Sequence, residues 1–283
     1  MNKGLIVKIL KNQFFVKVDN EVYTCSVLGK LRYLHITPVV GDYVEIDLKK
    51  KTIENILPRH NYIRRPPVSN ITQAFVVTSF VVPDFDTNLL DKLLLELEFN
   101  NIKPIICLTK SDLLDDIHKY DSIIKYYKKY YTVVNNFELD KIKSMFKGET
   151  TVFIGQTGAG KSTLLNNLAD LNLATGEVSD ALGRGRHTTR HIEIFSLFDG
   201  MILDTPGFSA LEFNNMTKEE IRNCFIDFKD YPCDYSDCTH TKEPECRIKK
   251  EVESGNILKS RYENYLKFIE TGLSNQDKYK RNK

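Results

Sequence analysis

The chain carries the run Gly155-Gln156-Thr157-Gly158-Ala159-Gly160-Lys161-Ser162, which fits GxxxxGK[ST], the pattern of a phosphate-binding loop. An apolar run, Thr151 to Ile154, precedes it as a predicted strand, and a predicted helix follows from Thr163 to Leu168. In such a loop, backbone N–H groups and the helix N-terminus hold phosphate oxygens. We therefore expect residues 155–163 to bind a nucleotide, with Lys161 at the β and γ oxygens and Ser162 as a ligand of Mg²⁺.

A base-reading motif, Thr109-Lys110-Ser111-Asp112, comes before the phosphate loop, and the apolar run Pro104 to Leu108 leads into it. An ordinary GTP-binding domain has these two motifs in the reverse order. Asp112 would accept hydrogen bonds from guanine N1–H and the 2-amino group, which adenine lacks, while the stem of Lys110 lies along the base. The sequence therefore predicts an α/β P-loop GTPase core on a circularly permuted chain, with residues 109–112 at the guanine.

An aspartate ends the apolar run in Met201-Ile202-Leu203-Asp204-Thr205-Pro206-Gly207. We expect Asp204 to hold the magnesium shell and the N–H of Gly207 to face the γ-phosphate. Upstream, Asp199-Gly200 between two apolar runs predicts a two-residue hairpin turn. Downstream, Thr217-Lys218-Glu219-Glu220 resembles a base reader but has the Thr-x-x-Glu form of a capping box, so we interpret it as a helix start.

A segment rich in glycine, cations and hydroxyls, Gly183 to Arg190, lies where a switch loop belongs. Either Thr188 or Thr189 would complete the magnesium shell when the γ-phosphate is present, and spacing does not choose between them. Phe208 stands where many GTPases carry a glutamine that orients the attacking water. His187 is the nearest substitute and is our candidate catalytic residue; the alternative is a solvated loop histidine.

Four soft ligands occur together near the C-terminus, in the pattern Cys233-x4-Cys238-x-His240-x5-Cys246. Three thiolates and one imidazole suit a closed tetrahedral zinc site, which has no open position for chemistry. The alternative is a set of free reduced cysteines in a loop. We predict one structural zinc ion held by these four residues.

Positive charge is concentrated in residues 1–65, which contain 12 Lys and Arg residues but only 6 Asp and Glu residues. The same segment contains short apolar alternations that predict five strands, an arrangement typical of a small OB-like barrel, a fold that often binds RNA. Its basic residues are interleaved with the aromatic residues Phe14, Tyr23 and Tyr33, although a solvated basic face would look the same. Arg64-Arg65-Pro66-Pro67 then indicates a linker.

The overall composition is that of a multi-part protein of the cytoplasm. The 283 residues are 41% hydrophobic, and the net charge is +2. Because no apolar run approaches a membrane span or a signal peptide, we expect neither secretion nor a membrane. The six cysteines fit a reducing compartment better than a disulfide framework.

Together these features resemble the family of bacterial small-ribosomal-subunit-dependent GTPases. The resemblance rests on the basic barrel, Pro83-Asp84-Phe85 after the first core strand, the phosphate loop, the Gly-Arg-His-Thr-Thr switch and the Cys/His pattern. It covers essentially the whole chain. Two departures from the family pattern bear on guanine binding: Thr109 in place of Asn, and Val134-Asn135-Asn136 in place of a Ser-Ala loop.

The resemblance implies an OB-like β-barrel domain (1–63), a circularly permuted GTPase domain (64–222) and a mainly helical zinc-binding domain (223–283). It implies a late assembly factor of the 30S ribosomal subunit, with slow intrinsic GTP hydrolysis that the subunit stimulates, and it supports His187 as the catalytic residue. The expected partners are the 30S subunit, 16S rRNA, GTP and GDP. We expect a monomer that binds Mg²⁺ with GTP.

Two other functions fit parts of the sequence. An RNA-binding scaffold would hold nucleotide without turnover, and hydrolysis measurements with the subunit would separate it from a GTPase. A P-loop ATPase would use ATP as well as GTP, which Asp112 argues against.

Overall fold

The computed structural model describes residues 1–28, 37–64, 66–174, 192–204 and 216–280, with the backbone alone described at 117, 171–174, 204 and 272–280. The chain forms two compact units. The first comprises Met1–Phe75, Asn136–Ile154 and Lys161–Ala210, and the second comprises Val76–Asn135, Gly155–Gly160 and Leu211–Lys283. Within the described ranges, no helix has both the length and the apolar character needed to cross a membrane.

The strands are β1 (Asn2–Leu10), β2 (Gln13–Val18), β3 (Glu21–Val27), β4 (Tyr43–Asp47), β5 (Thr52–Ile56), β6 (Tyr62–Arg64), β7 (Pro67–Ser69), β8 (Gln73–Ser79), β9 (Lys103–Thr109), β10 (Thr132–Asn135), β11 (Thr150–Ile154), β12 (Glu193–Leu197) and β13 (Gly200–Asp204). The α-helices are α1 (Thr87–Phe99), α2 (Asp121–Tyr130), α3 (Leu139–Ser144), α4 (Lys161–Ala174), α5 (Lys218–Cys224), α6 (Arg247–Glu253) and α7 (Lys259–Lys280).

The first five strands form a closed barrel, as the sequence predicts. Their order is β1-β2-β3-β5-β4, and β4 pairs back onto β1 in antiparallel fashion, so these five strands close into a barrel. The parallel pair β3–β5 gives the barrel its mixed topology. Its interior is a cluster of buried apolar side chains: Ile6, Val16, Val18, Cys25, Val44, Ile46 and Ile53.

A short hairpin, rather than a linker, follows the barrel. β6 and β7 are antiparallel, with Arg64 opposite Pro67. The prediction of a linker is therefore wrong at Arg64 and Pro67. The hairpin is held to the barrel by buried Asp42, which accepts hydrogen bonds from Ser69 Oγ at 2.7 Å and Arg59 Nε at 2.7 Å. Sequence alone does not predict these contacts between residues far apart in the chain.

The remaining strands of the first unit continue from the barrel in the order β1-β12-β13-β11. β12 is antiparallel to both β1 and β13, whereas β13 is parallel to β11. The predicted hairpin is present, but its two turn residues are Phe198 and Asp199, both with positive φ, and Gly200 pairs with Leu197. Gly200 is needed for a different reason: a Cβ there would lie 1.9 Å from the carbonyl oxygen of Phe146.

In the second unit, β9 lies next to β8 and is parallel to β10. Asp86 caps the start of helix α1, where its carboxylate accepts hydrogen bonds from the N–H groups of Asn88 and Leu89. Thr217 and Glu220 form the predicted capping box of α5. The C-terminal helices bury an aromatic cluster whose largest members are Phe225, Phe228, Tyr265 and Phe268.

Candidate nucleotide and metal sites

The phosphate loop has the backbone geometry that its glycines permit. β11 ends at Ile154 and α4 begins at Lys161, and between them Gly155, Gly158 and Gly160 have φ of 135°, 83° and 96°. At Gly155 a side chain is excluded by steric clash as well as by φ, because a Cβ atom there would lie 2.1 Å from the carbonyl oxygen of Val77. These residues therefore present backbone N–H groups ahead of a helix N-terminus, the arrangement that binds phosphate.

Lys161 is half-buried at the start of α4, and burial lowers the pKa of its ammonium group. A phosphate anion at this position would offset that desolvation. Ser162 and Thr163, the next two residues of the helix, are exposed. The first turn of α4 thus has a cation and two hydroxyl groups directly after the phosphate loop in the chain, as the motif requires.

The structure brings the base-reading motif against the phosphate loop. Thr109, at the end of β9, is buried, and its hydroxyl donates a hydrogen bond of 2.6 Å to the carbonyl oxygen of Ala159. Its side chain also lies 3.7 Å from the position of a Cβ built on Gly160. A threonine in place of asparagine therefore still ties the two loops together.

The other base-reading residues follow in a turn that projects from β9. Lys110 adopts the left-handed conformation, with φ of 58°, and its ammonium group donates a hydrogen bond to the carbonyl oxygen of Val82. Asp112 lies exposed in the 3-10 turn Ser111–Leu113. The carboxylate is therefore accessible to a base that approaches the turn from solvent.

The segment that replaces a Ser-Ala loop ends the strand beside β9. β10 is parallel to β9, with Asn135 paired with Leu108, so both strands finish at the same edge of the sheet. Val134 is buried and Asn135 is half-buried. The end of β10 therefore lies next to the base-reading turn and contributes an amide side chain at this edge.

Two predicted magnesium ligands come from neighbouring elements of the first unit. Ser162 is in the first turn of the helix that follows β11, and Asp204 is the last residue of β13, which is parallel to β11. The two parallel strands therefore end at the same edge of the sheet, and serine and aspartate are residue types whose oxygen atoms suit Mg²⁺. His187, Thr188, Thr189 and Gly207 lie outside the described residues.

The four predicted zinc ligands converge. The Sγ atoms of Cys233, Cys238 and Cys246 lie 3.5, 3.4 and 3.4 Å from Nδ1 of His240, and all four ligand atoms lie within 4.8 Å of one another. A tetrahedral site with Zn–S near 2.3 Å and Zn–N near 2.0 Å places S and N roughly 3.5 Å apart. The cluster therefore fits a zinc ion bound through Nδ1.

The surroundings of the cluster favour a bound cation. Burial raises the pKa of the Cys238 thiol to about 12, so this thiol ionises readily only when a cation is present. Burial lowers the pKa of His240 to about 4, which keeps the imidazole neutral and able to bind a metal. The N–H of Arg247 points at Sγ of Cys233 from 3.3 Å, as expected for a thiolate acceptor.

Sequence reasoning missed Glu243, which holds the Cys238-to-His240 turn. Its carboxylate accepts hydrogen bonds of 2.8 Å from the N–H groups of Thr239 and Thr241. Burial opposes ionisation of Glu243, but these hydrogen bonds and one from its own N–H outweigh it and lower its pKa to about 2. In the sequence, nothing distinguishes Glu243 from its acidic neighbour Glu245.

A buried ion-pair network, also missed, joins the C-terminal helix to α1. Arg261 of α7 donates to Asp91 at 2.6 Å and to Asp227 at 2.9 Å, and all three side chains are at most 2% exposed. Burial alone would lower the pKa of Arg261, but the charges of Asp227 and Asp91 raise it well above its ordinary value. Tyr262 of α7 also donates to the carbonyl oxygen of His240, so this helix packs on residues 233–246, which we call the zinc segment.

Comparison with known proteins agrees with this architecture. The RsgA N-terminal domain model matches residues 3–55 and the RsgA GTPase model matches residues 56–214. A protein of Clostridium botulinum (strain Langeland) named small ribosomal subunit biogenesis GTPase RsgA is 41% identical over 98% of this chain and 99% of its own. The protein of the same name from Enterococcus faecalis is 44% identical over 94% of each chain.

Two solved structures have the same fold over nearly the whole chain. YjeQ from Thermotoga maritima has a TM-score of 0.83 and 32% identity, covering 96% of this chain and 98% of its own. YloQ, described as a circularly permuted GTPase, has a TM-score of 0.81 and 36% identity, covering 97% and 96%. With family models that match residues 3–55 and 56–214 and relatives 41% and 44% identical over nearly the full chain, the chain belongs to the RsgA GTPase family.

Proposed function

We propose that this GTPase acts in late assembly of the 30S ribosomal subunit, that it hydrolyses GTP slowly alone, and that the subunit stimulates it. The observation that carries the proposal is the match, over nearly the full chain, to relatives named small ribosomal subunit biogenesis GTPase. Those relatives are aligned through the barrel, the core and the zinc segment alike. A scaffold that only binds RNA would not require the nucleotide machinery.

In the proposed reaction, Asp112 accepts the two guanine hydrogen bonds and the phosphate loop holds the triphosphate. Lys161 contacts the β and γ oxygens. Ser162, Asp204 and either Thr188 or Thr189 would hold Mg²⁺, which neutralises charge between these oxygens when bound. The tie between Thr109 and Ala159 keeps the base-reading and phosphate-binding loops in one arrangement.

Water activation needs a residue other than glutamine, because the apolar ring of Phe208 follows Gly207. We assign the role of orienting and activating the attacking water to His187. The isolated chain is then slow, and an activating partner can add roughly 10³–10⁵-fold in comparable systems. The 30S subunit would provide this activation by bringing His187 to the attacking water.

The basic barrel is the proposed rRNA anchor. Its lysines contact phosphates, and the zinc segment contacts a second place on the subunit. GTP favours the subunit-bound state, and hydrolysis releases the protein. The predicted ligands are therefore 16S rRNA within the 30S subunit together with GTP and GDP, and the chain acts as a monomer in the cytoplasm.

The test is co-sedimentation with purified 30S subunits, in a non-hydrolysable GTP analogue and in GDP, beside hydrolysis of GTP and ATP with and without subunits. We expect stronger binding with the analogue, stimulated hydrolysis of GTP and little use of ATP. His187→Ala should lower the stimulated kcat while leaving GTP binding unchanged. Equal binding in both nucleotides without stimulation would favour an RNA-binding scaffold, and equal turnover of ATP would favour an ATPase.

A further inference from the structure

The barrel is joined to the strand that precedes the magnesium aspartate. β1 pairs with β12 through Lys8 opposite Glu193, and β12 pairs with β13 through Glu193 opposite Asp204. One residue of β12 therefore stands between a barrel lysine and the last residue of β13. All three belong to the first compact unit.

An ion pair reinforces this junction. Lys8 Nζ lies 2.5 Å from Glu193 Oε2, and the two side chains are only 23% and 22% exposed. Lys17 of β2 adds a second contact, donating a hydrogen bond of 2.9 Å to Ser196 Oγ of β12. The barrel thus contacts β12 through two lysine side chains, in addition to the pairing of the strands.

The ion pair matters electrostatically because Glu193 and Asp204 are like charges at directly opposed positions. Such pairs destabilise a sheet unless the charge is compensated. Lys8 compensates the charge of Glu193 through their ion pair. Without Lys8, the end of β13 would face an uncompensated carboxylate across the ladder.

We propose that the Lys8–Glu193 pair positions the end of β13, so that Asp204 binds Mg²⁺ and the barrel is energetically linked to the magnesium site. The proposal rests on the assignment of Asp204 to the magnesium shell. Lys8 and Glu193 are positioning residues, since they act through β12 and not on the nucleotide. Linkage is reciprocal, so binding of Mg²⁺ and GTP would in turn stabilise the contact between the barrel and β12.

The experiment uses the full chain and a binding measurement. A fluorescent non-hydrolysable GTP analogue is bound without Mg²⁺, and the Mg²⁺ concentration that half-saturates its fluorescence change is measured. The variants are Lys8→Met, Glu193→Gln and the exchanged pair Lys8→Glu/Glu193→Lys. Lys11→Met is the matched control, because it removes the same charge from the exposed turn between β1 and β2.

Positioning and simple electrostatics predict opposite patterns. Removing Lys8 makes the region more negative and removing Glu193 makes it more positive, so a field effect alone would shift the Mg²⁺ midpoint in opposite directions. If the pair positions Asp204, both single variants raise the midpoint by about threefold to tenfold, the size typical of coupling residues. The exchanged pair should return close to the wild-type midpoint, and Lys11→Met should not change it.

Opposite shifts, or no shift, in the two single variants would overturn the proposal. Asp204→Asn separates this failure from failure of the site assignment. If Asp204→Asn leaves the Mg²⁺ midpoint unchanged, Asp204 is not a ligand and the link falls with it. If Asp204→Asn raises the midpoint and the pair variants do not, the ligand stands and only the link is wrong. In hydrogen exchange, β13 amides should exchange faster in both single variants, while unchanged exchange in the other elements shows that the variants remain folded.

Discussion

At the scale of single residues, Thr109 shows how a departure from a family pattern is accommodated. The hydroxyl has one proton, and its short hydrogen bond of 2.6 Å goes to Ala159 rather than to Thr78, whose carbonyl oxygen lies 3.3 Å away. One donor is enough to tie the two loops. The substitution therefore alters the chemistry of the tie without removing it.

Thr109→Val should weaken the binding of both GTP and GDP. Valine has the same shape but cannot donate, so the buried carbonyl oxygen of Ala159 loses its partner, at a cost of ~1–3 kcal/mol. Thr109→Ser keeps the donor and should bind nearly as wild type. Equilibrium titration with fluorescent GDP measures both variants. Wild-type affinity in Thr109→Val would show that the hydrogen bond does not position the phosphate loop.

Glu96 of α1 should make stability depend on pH. Burial raises its pKa from 4.5 to about 7, while a hydrogen bond from Asn100 and the charge of Lys92 oppose the shift. Between these two pH values the folded chain binds more protons than the unfolded chain. The contribution of Glu96 to the stability of the fold therefore falls as pH rises from about 4.5 to about 7.

Glu96→Gln should therefore stabilise the protein at pH 8, by ~1–3 kcal/mol, and change little at pH 4.5. Glutamine keeps an acceptor for Asn100. Urea unfolding midpoints at the two pH values, in wild type and variant, measure the difference. An equal effect at both pH values would mean that ionisation of Glu96 is not the cause.

At the scale of elements, the zinc segment is held from both sides. Cys246 precedes α6, whose first N–H faces Cys233, while α7 donates from Tyr262 and Tyr265 to the carbonyl oxygens of His240 and Thr239. Glu243 also stabilises the turn between the second ligand, Cys238, and the third, His240, by accepting hydrogen bonds from its backbone. The Cys/His cluster therefore connects two helices and is also the candidate metal site.

Freshly purified protein should contain one zinc ion per chain by elemental analysis. Cys246→Ser should abolish tight binding and loosen α6 and α7 in hydrogen exchange, while nucleotide affinity is retained. Glu243→Gln should weaken zinc about tenfold or more, the usual effect of losing a residue that supports a metal ligand. Glu245→Gln, at an exposed neighbour, is the matched control. Full zinc affinity in Glu243→Gln would contradict its supporting role.

At the scale of the whole molecule, the barrel cannot be treated as a detachable module. β1 pairs with β12, and Asp42 of the barrel accepts hydrogen bonds from Ser69 and Arg59, which follow the last barrel strand in the chain. Deleting residues 1–63 would remove those bonds along with any RNA-binding surface. Charge variants on the exposed turn between β4 and β5 are therefore a cleaner test of the proposed rRNA anchor.

Lys49→Ala/Lys50→Ala should flatten the salt dependence of 30S binding. Removing one lysine–phosphate ion pair lowers the slope of log affinity against log salt by about 0.7–0.9, so removing two lowers it by about 1.4–1.8. Both lysines are exposed, and intrinsic hydrolysis should not change. Lys103→Ala/Lys147→Ala, outside the barrel, is the control. The idea fails if both pairs of substitutions give the same slope as wild type.

Much of the molecule was predictable because the decisive signals are local. The phosphate loop, the capping box at Thr217, the hairpin before Asp204 and the Cys/His spacing each depend on residues close together in the chain. Even there, the turn at Phe198 and Asp199 was misplaced by one residue. Gly200 resembles a turn glycine, but its small size serves a contact with Phe146, which is distant in sequence.

The candidate residues for binding phosphate, guanine and zinc could be identified from the sequence alone, since residue type and short spacing determine which groups suit each ligand. Tertiary structure alone decided the supporting contacts: Thr109 on Ala159, Arg261 between Asp91 and Asp227, and Lys8 on Glu193. These partners are 34 to 185 residues apart. No local pattern encodes such pairs, because they form only when packing brings separate elements together.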